Sequence, residues 1–529
     1  MNASDVLARA HEWLAAEPDE DIRQELAHLI ASPGSELTDR FTDRLQFGTA
    51  GLRAAIGAGP LRMNRLVVRQ AAAGLAGYVL ARWPDAAIRG IIIGYDARHK
   101  SQDFALDTAR VFAAAGIRAL LLPSPLPTPV LAWNITAYNA IAGVMVTASH
   151  NPPADNGYKV YLADGAQIVP PHDVGIAASI DRFDPCTVQL AAPDHPLIER
   201  LDTGAEDRYV ASVPSVRFRP DLSGGTVAYT ALHGVGGATL IRAFRSSNLG
   251  EPLVVAAQQD PDPAFPTVAF PNPEEPGAMD LLLERARESG AVLALANDPD
   301  ADRLGAAIPT ADGGWRRLTG DELGCILADH ILRHTTGADR LVVTTLVSSS
   351  LLSQMARAHG VHFKETFTGF KWIGRTVLDH PELRFVFGYE QALGYLVAQQ
   401  PMDKDGITAA VMMAEVAALA AAEGVSLQDR LDTLAARFGR HITSEQSVRL
   451  DPATAAQRVG SMREAPPAEV GGRAVTSVEW YEEAGLLRIW LDDIRLQVRP
   501  SGTEPKVKLY GEAIDLDPAP YLSALADLL

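Results

Sequence analysis

Hydrophobic positions along the chain gather into short β-branched runs, and each run ends in a polar or glycine-rich loop. Ile91 to Gly94 precedes Tyr95 to Arg98, and Ile141 to Val146 precedes Thr147 to His150. Val227 to Tyr229 leads into Leu232 to Gly237, and Val292 to Ala296 into Asn297 to Asp300. Leu341 to Thr345 leads toward a helix near Ser348 to His359, and Phe385 to Phe387 into Gly388 to Glu390. Strands alternating with helical stretches predict layered α/β domains with parallel sheets. In such sheets ligands bind at the carboxyl ends of strands, where these loops lie. Before them, residues 1 to about 40 have the spacing of amphipathic helices, broken at Ala31 to Ser35. After about residue 440 the pattern changes. Leu486 to Leu491, Ile494 to Val498 and Val507 to Tyr510 read as an antiparallel meander, with a last helix near Pro518 to Leu529.

Size and charge narrow the function. At 529 residues the chain has room for roughly three to five domains. Its net charge of −18 disfavours nucleic acid and anionic membranes as partners, although a local cationic cleft remains compatible with an anionic small substrate. Cys186 and Cys325 make neither a disulfide framework nor a CxxC metal pair, so a reducing, cytoplasmic setting is expected. The N-terminal stretch has no apolar signal core. The most apolar window, Ile407 to Val425, contains Glu415 and many alanines and reads as a buried helix rather than a membrane span.

Four segments carry candidate chemistry. Thr147 to Pro153 holds Ser149 just past a strand, either as a nucleophile or phosphate carrier or as a helix cap in an ordinary turn. It lacks the G-x-S-x-G elbow of serine hydrolases. Asp298, Asp300 and Asp302 alternate after another strand. Such clustered carboxylates suit a hard cation; the alternative is a solvated acidic turn. Arg303 and Pro309 stand where an EF-hand needs glycine and glutamate, so Mg²⁺ with a phosphate ligand fits better than calcium. Arg499 to Lys506 surrounds one turn with a guanidinium, the Ser501 and Thr503 hydroxyls and the Gly502 backbone, a cradle for a phosphate dianion or a plain hairpin turn. Gly388 to Gly394 offers Glu390 to sugar hydroxyls, unless it is simply a surface carboxylate. Together a serine, a cation site, a phosphate cradle and a carboxylate suit phosphoryl transfer on a polyol phosphate.

With these four loops in this order, and Phe47 to Arg53 as an entry motif, the chain resembles the α-D-phosphohexomutases from about Phe47 to its C-terminus. Phe265 to Glu274 and Asp403 to Gly406 resemble a branch holding bacterial phosphoglucomutase/phosphomannomutase-type and phosphopentomutase-like enzymes. The resemblance implies a heart-shaped α/β architecture of four domains around one cleft, three related α/β domains and a C-terminal α+β domain. The expected division is a helical extension over 1–40, then domains over 41–205, 206–313, 314–440 and 441–529. The extension either caps the first domain or mediates dimer contacts. The small last domain is the natural moving part, since it must grip phosphate and release it.

The resemblance also implies roles. Ser149 would carry the phosphoryl group, with Mg²⁺ held by Asp298, Asp300, Asp302 and a phosphoryl oxygen on Ser149. His150 would assist Ser149. Lys159 would act as acid/base or charge stabiliser, and Arg53 and Arg303 would approach phosphate charge. Lys404 would contact substrate phosphate or hydroxyl, and Thr368, Gly369 and Lys371 would form a hexose-contacting loop beside Glu390. Arg499, Ser501, Gly502 and Thr503 would bind the distal phosphate. The implied reaction interconverts hexose 1- and 6-phosphates, of glucose or mannose, through a bisphosphorylated intermediate, with glucose 1,6-bisphosphate or an equivalent as activator. The expected assembly is a monomer or homodimer. One departure matters: many hexose-specific relatives have Glu-x-Ser in the sugar loop, and here Ala392 replaces the serine. Losing one hydrogen bond, about 0.5–1.5 kcal/mol, makes a phosphopentomutase a serious alternative. A Mg²⁺-dependent phosphatase and a non-catalytic phosphosugar-binding protein are the more distant ones.

Overall fold

The computed structural model describes residues 3–501 and 505–529. The chain forms two compact units. One runs from the N-terminus through Arg317 and takes in 377–379 and 392–419; the other holds 318–376, 380–391 and 420–529.

In the first unit, helices Ala3–Ala16, Glu20–Ala31 and Ser35–Phe41 precede a six-stranded sheet. Val6, Trp13, Leu26 and Phe41 are buried in the same core as Ile91, Val144 and Tyr158, so the extension caps the first α/β domain. Trp13 meets Phe41 edge to face at 5.9 Å. The sheet runs Leu52–Ala55, Asp155–Leu162, Ala142–Val146, Ile91–Tyr95, Ala119–Leu121, Ile198–Arg200. Its strands from Ala142–Val146 outward to Ile198–Arg200 are parallel, as the alternation of strands and helices predicts. Asp155–Leu162 instead returns antiparallel to Ala142–Val146, setting Lys159 opposite Met145. A second sheet is built on Val227–Thr230 and Leu293–Asn297, which are parallel. The chain reverses after Asn297, and Leu304–Pro309 pairs antiparallel with Leu293–Asn297.

The apolar window forms helix Gly406–Ala422. Its Glu415 is fully buried and paired: it lies 2.9 Å from Arg217 Nε and accepts from the Phe218 and Arg219 backbone N–H groups at 2.9 and 3.0 Å. Among the described residues no single helix is long and apolar enough to cross a membrane.

In the second unit, Arg340–Thr345 pairs parallel with both His362–Thr366 and Arg384–Glu390. The C-terminal meander is present and extends further than its apolar pattern predicts. Ser477–Tyr481 adds one edge, and His441–Arg449 pairs antiparallel with Lys506–Ile514 along its whole length. The last helix is Ala519–Ala526.

A buried polar joint ties this C-terminal sheet to the loop Leu346–Ser350. Glu512 accepts from Ser349 Oγ at 2.6 Å and from the Ser350 N–H at 2.9 Å, and pairs with Arg495 at 2.8 Å. His441 Nδ1 lies 2.8 Å from the same carboxylate. Arg488 and Gln497 donate to the Leu346 carbonyl at 3.0 and 2.7 Å. A C-terminal domain moving independently of the third would have to break this joint. Arg495→Met strands the buried Glu512 charge. It is expected to cost roughly 3–5 kcal/mol, read as a lower urea midpoint. Burial alone would raise the Glu512 pKa, but Arg495 and the His441 and Ser349 hydrogen bonds outweigh it, bringing it from 4.5 to about 2. The folded value lies below the unfolded one. The joint's contribution is therefore complete above pH 4.5 and is lost as pH falls through about 2.

Candidate active site

The loop between Ala142–Val146 and Asp155–Leu162 holds Ser149 in the left-handed region, with φ of +52°. A non-glycine residue is strained there by roughly 1–3 kcal/mol and persists only when its surroundings fix it. The fixing groups are visible. The Ser149 N–H donates to Thr147 Oγ1 at 2.8 Å. The buried Arg98 guanidinium gathers the loop's carbonyls, donating to Ser149 and Pro152 at 2.7 Å, to Asp155 at 3.2 Å, and to Asn151. Phe265 lies beneath that guanidinium, its ring centre 4.9 Å away.

Ser149 Oγ donates to Asp298 Oδ2 at 2.8 Å, and His150 Nδ1 lies 3.2 Å from Ser149 Oγ. Asp298, Asp300 and Asp302 are fully buried at the reversal after Asn297. They can offer one oxygen each within 4.8 Å of one another, the one such metal-competent cluster among the described residues. Asp298 Oδ1 accepts from the Arg303 N–H at 3.0 Å. Lys159 Nζ bridges Asp300 Oδ2 and Asp302 Oδ2, both at 2.7 Å, and Lys404 Nζ reaches Asp302 Oδ2 at 3.1 Å. Lys404 is steadied by Asp403, 3.7 Å away, which itself accepts from Tyr161 and Gln167 at 2.9 and 2.8 Å.

The opposite oxygens of two aspartates are left over. Asp300 Oδ1 and Asp302 Oδ1 are buried and accept no hydrogen bond. An unsatisfied buried polar group costs about 1–3 kcal/mol, more when charged. Three clustered carboxylates, two of them with an oxygen left unsatisfied, are the donor set of a hard divalent cation, so these residues fit a bound metal.

Charge in the cluster is divided unevenly. Burial, followed by the Asp300 and Asp302 charges, pushes Asp298 well above the usual carboxylate range. For Asp302 burial also acts upward, but Lys159, Lys404 and Arg303 outweigh it and hold the group well below that range. Burial acts to lower the Lys159 pKa, but Asp300 and Asp302 more than reverse it, so Lys159 stays an ammonium. Burial and the Arg303 and Arg53 guanidiniums hold His150 well below its ordinary 6.5, so the imidazole is neutral at pH 7.

Arg53, on strand Leu52–Ala55, donates to Asn151 Oδ1 at 2.9 Å. Arg303 directs its guanidinium to Glu274, 3.7 Å away. One unit thus brings together Ser149, His150, Lys159, Arg53, Arg303, Lys404 and the three aspartates. The other predicted residues lie in the second unit. Glu390 ends its strand and is buried. Gly369, at φ +107°, turns the chain into helix Phe370–Leu378, which carries Lys371; the Thr368 hydroxyl beside it is buried without a hydrogen bond. Arg499 stands at the end of strand Ile494–Pro500, and the Ser501 N–H closes the hairpin onto the Lys506 carbonyl at 2.8 Å. Gly502 and Thr503 lie outside the described residues.

Two contributors went unassigned in the sequence. Arg98 lies in a strand-end loop that is visible as such, but its carbonyl partners are more than fifty positions away. Thr128 donates to Asp300 Oδ2 at 2.6 Å across 172 positions, and no local pattern announces that contact.

The chain is similar to known proteins along most of its length. The chain matches the α/β/α domain I, II and III models of phosphoglucomutase/phosphomannomutase over residues 44–185, 207–313 and 319–438. It is 42% identical to a protein of Haemophilus influenzae named probable phosphomannomutase, over 86% of this chain and 94% of that one. It is 36% identical to the human phosphopentomutase, over 82% of this chain and 75% of the relative. A phosphoglucomutase/phosphomannomutase family protein of Burkholderia thailandensis shares the fold, with a TM-score of 0.72 at 20% identity, over 92% of this chain and 96% of that one. With three successive domain models matched and such relatives along most of its length, the chain belongs to the phosphoglucomutase/phosphomannomutase family of α-D-phosphohexomutases.

Proposed function

We propose that this phosphosugar mutase interconverts hexose 1-phosphate and hexose 6-phosphate of glucose or mannose through a phosphoserine at Ser149. The observation that carries the reading is the 2.8 Å contact between Ser149 Oγ and Asp298, with the Lys159 ammonium on the other two aspartates. It joins a phosphate-accepting hydroxyl, a cation site and a fixed positive charge at one point.

In this reading the phosphoryl group on Ser149 passes to a hydroxyl of a bound sugar monophosphate. The bisphosphate reorients, and its other phosphoryl group returns to Ser149. Asp298, Asp300 and Asp302, with a phosphoryl oxygen on Ser149, would hold Mg²⁺, which would supply charge neutralisation on the transferring group. Lys159, kept protonated by its two carboxylates, stabilises charge that develops on the phosphoryl oxygens rather than acting as a base. Neutral His150, 3.2 Å from Ser149 Oγ, can take the hydroxyl proton when Ser149 is the nucleophile and return it when Ser149 leaves. Arg53 and Arg303 add positive charge around the transferring group. Lys404 contacts substrate once a sugar phosphate is bound. Glu390 with Thr368, Gly369 and Lys371 holds the sugar hydroxyls, and Arg499, Ser501, Gly502 and Thr503 hold the distal phosphate. Glucose 1,6-bisphosphate, or an equivalent, primes Ser149. We place the enzyme in the cytoplasm, as a monomer or homodimer.

Ala392 favours one second reading, a phosphopentomutase, and relatives named phosphopentomutase and phosphoribomutase lie at 36–38% identity. Equal glucose 1-, mannose 1- and ribose 1-phosphate, with Mg²⁺ and a trace of glucose 1,6-bisphosphate, followed by ³¹P NMR, separates the two. Hexose 6-phosphates appearing first support the primary reading, and ribose 5-phosphate appearing first replaces it with the second. Release of inorganic phosphate alone contradicts both.

A further inference from the structure

We propose that Thr128 is a positioning residue of the metal site, selecting which oxygen of Asp300 faces the cation. This rests on the metal-binding reading of the three aspartates. Thr128 opens helix Thr128–Ala137 and is fully buried. It grips Asp300 twice. Its hydroxyl donates to Asp300 Oδ2 at 2.6 Å, and its backbone N–H donates to the Asp300 carbonyl at 2.9 Å. Lys159 Nζ occupies the same Oδ2 at 2.7 Å, so that oxygen is saturated by two donors. Oδ1 is left buried and without a hydrogen bond.

A carboxylate free to rotate would exchange its two oxygens. A hydroxyl and a backbone N–H anchored together at the start of a helix prevent that. Thr128 belongs to the first α/β domain and Asp300 to the second, so the grip also fixes the metal loop against the strand that carries Lys159. Outer-shell partners of this kind typically change metal affinity 10–100-fold when removed.

The test is Mn²⁺ binding to the intact protein, measured by the electron paramagnetic resonance of free Mn²⁺, with folding checked by circular dichroism. Thr128→Val keeps the shape and removes the donor. It is expected to weaken Mn²⁺ binding by roughly 10–100-fold, while Thr128→Ser, which keeps the hydroxyl, stays within about threefold of the parent. Thr128→Ala serves if the valine variant does not fold. A folded Thr128→Val or Thr128→Ala protein that binds Mn²⁺ like the parent overturns the proposal, as does a Thr128→Ser variant weakened to the same degree. Asp300→Asn is the control. If it leaves Mn²⁺ affinity unchanged, the metal-binding reading itself fails, and that outcome is distinct from a failure at Thr128 alone.

Discussion

Ser149→Ala is expected to reduce mutase turnover by roughly 10⁴-fold or more, because it removes the hydroxyl proposed to carry the phosphoryl group between the two sugar positions. The loss should appear in kcat, with KM for sugar phosphate within a few-fold of the parent. Alanine at a φ of +52° is no more strained than serine, and the Arg98 clamp grips backbone carbonyls that the substitution leaves in place. The variant should therefore melt close to the parent. A coupled assay for the 6-phosphate product, run beside a thermal melt, reads both quantities. Turnover within tenfold of the parent would be incompatible with a phosphoserine mechanism.

The second large effect is expected at Lys159. Lys159→Met keeps the length of the side chain and removes the ammonium that lies 2.7 Å from both Asp300 and Asp302. Loss of a preorganised charge beside a transferring phosphoryl group is worth about 10²–10³ in kcat. The same substitution leaves two buried carboxylates without their shared cation, so the apo protein should be less stable. Divalent-metal affinity should be retained or increased, because a competing positive charge has gone. Low kcat with intact or tighter Mn²⁺ binding is therefore the expected signature. If activity and metal affinity fell together by the same factor, Lys159 would be a support for the metal site and not a stabiliser of transferring charge.

What the sequence discloses of this site follows from distance along the chain. The metal loop is legible because its three aspartates are local, alternate after an apolar run, and are followed by an arginine whose own N–H bonds Asp298. The serine loop is legible as a polar break after a strand. Its backbone strain is not, since a serine at positive φ has no glycine or asparagine to announce it. The contacts that complete the cluster, Lys159 to Asp300, Lys404 to Asp302 and Thr128 to Asp300, cross about one hundred positions or more. Periodicity carries no information at that range.

The fold divides in the same way. The apolar parallel strands of the first α/β domain are plain from their composition, whereas His441–Arg449 is not. It is a mixed polar edge strand, and only its pairing with Lys506–Ile514 makes it a strand. The helical extension is legible as helix, but its role depends on Trp13 and Phe41 finding the core of the first domain. The joint around Glu512 is invisible in sequence. A glutamate in a strand has no local mark of the Arg495 and Ser349 that make it a buried anchor.

The most direct test of the account is the phosphorylation state of Ser149 during turnover. The protein is incubated with glucose 1,6-bisphosphate and Mg²⁺, desalted, digested and sequenced by tandem mass spectrometry. One sample is then chased with unlabelled hexose monophosphate. One phosphoryl group per chain is expected on Ser149, discharged by the chase into sugar bisphosphate. Full mutase activity with no phosphate on Ser149, or with phosphate on another residue, would contradict it.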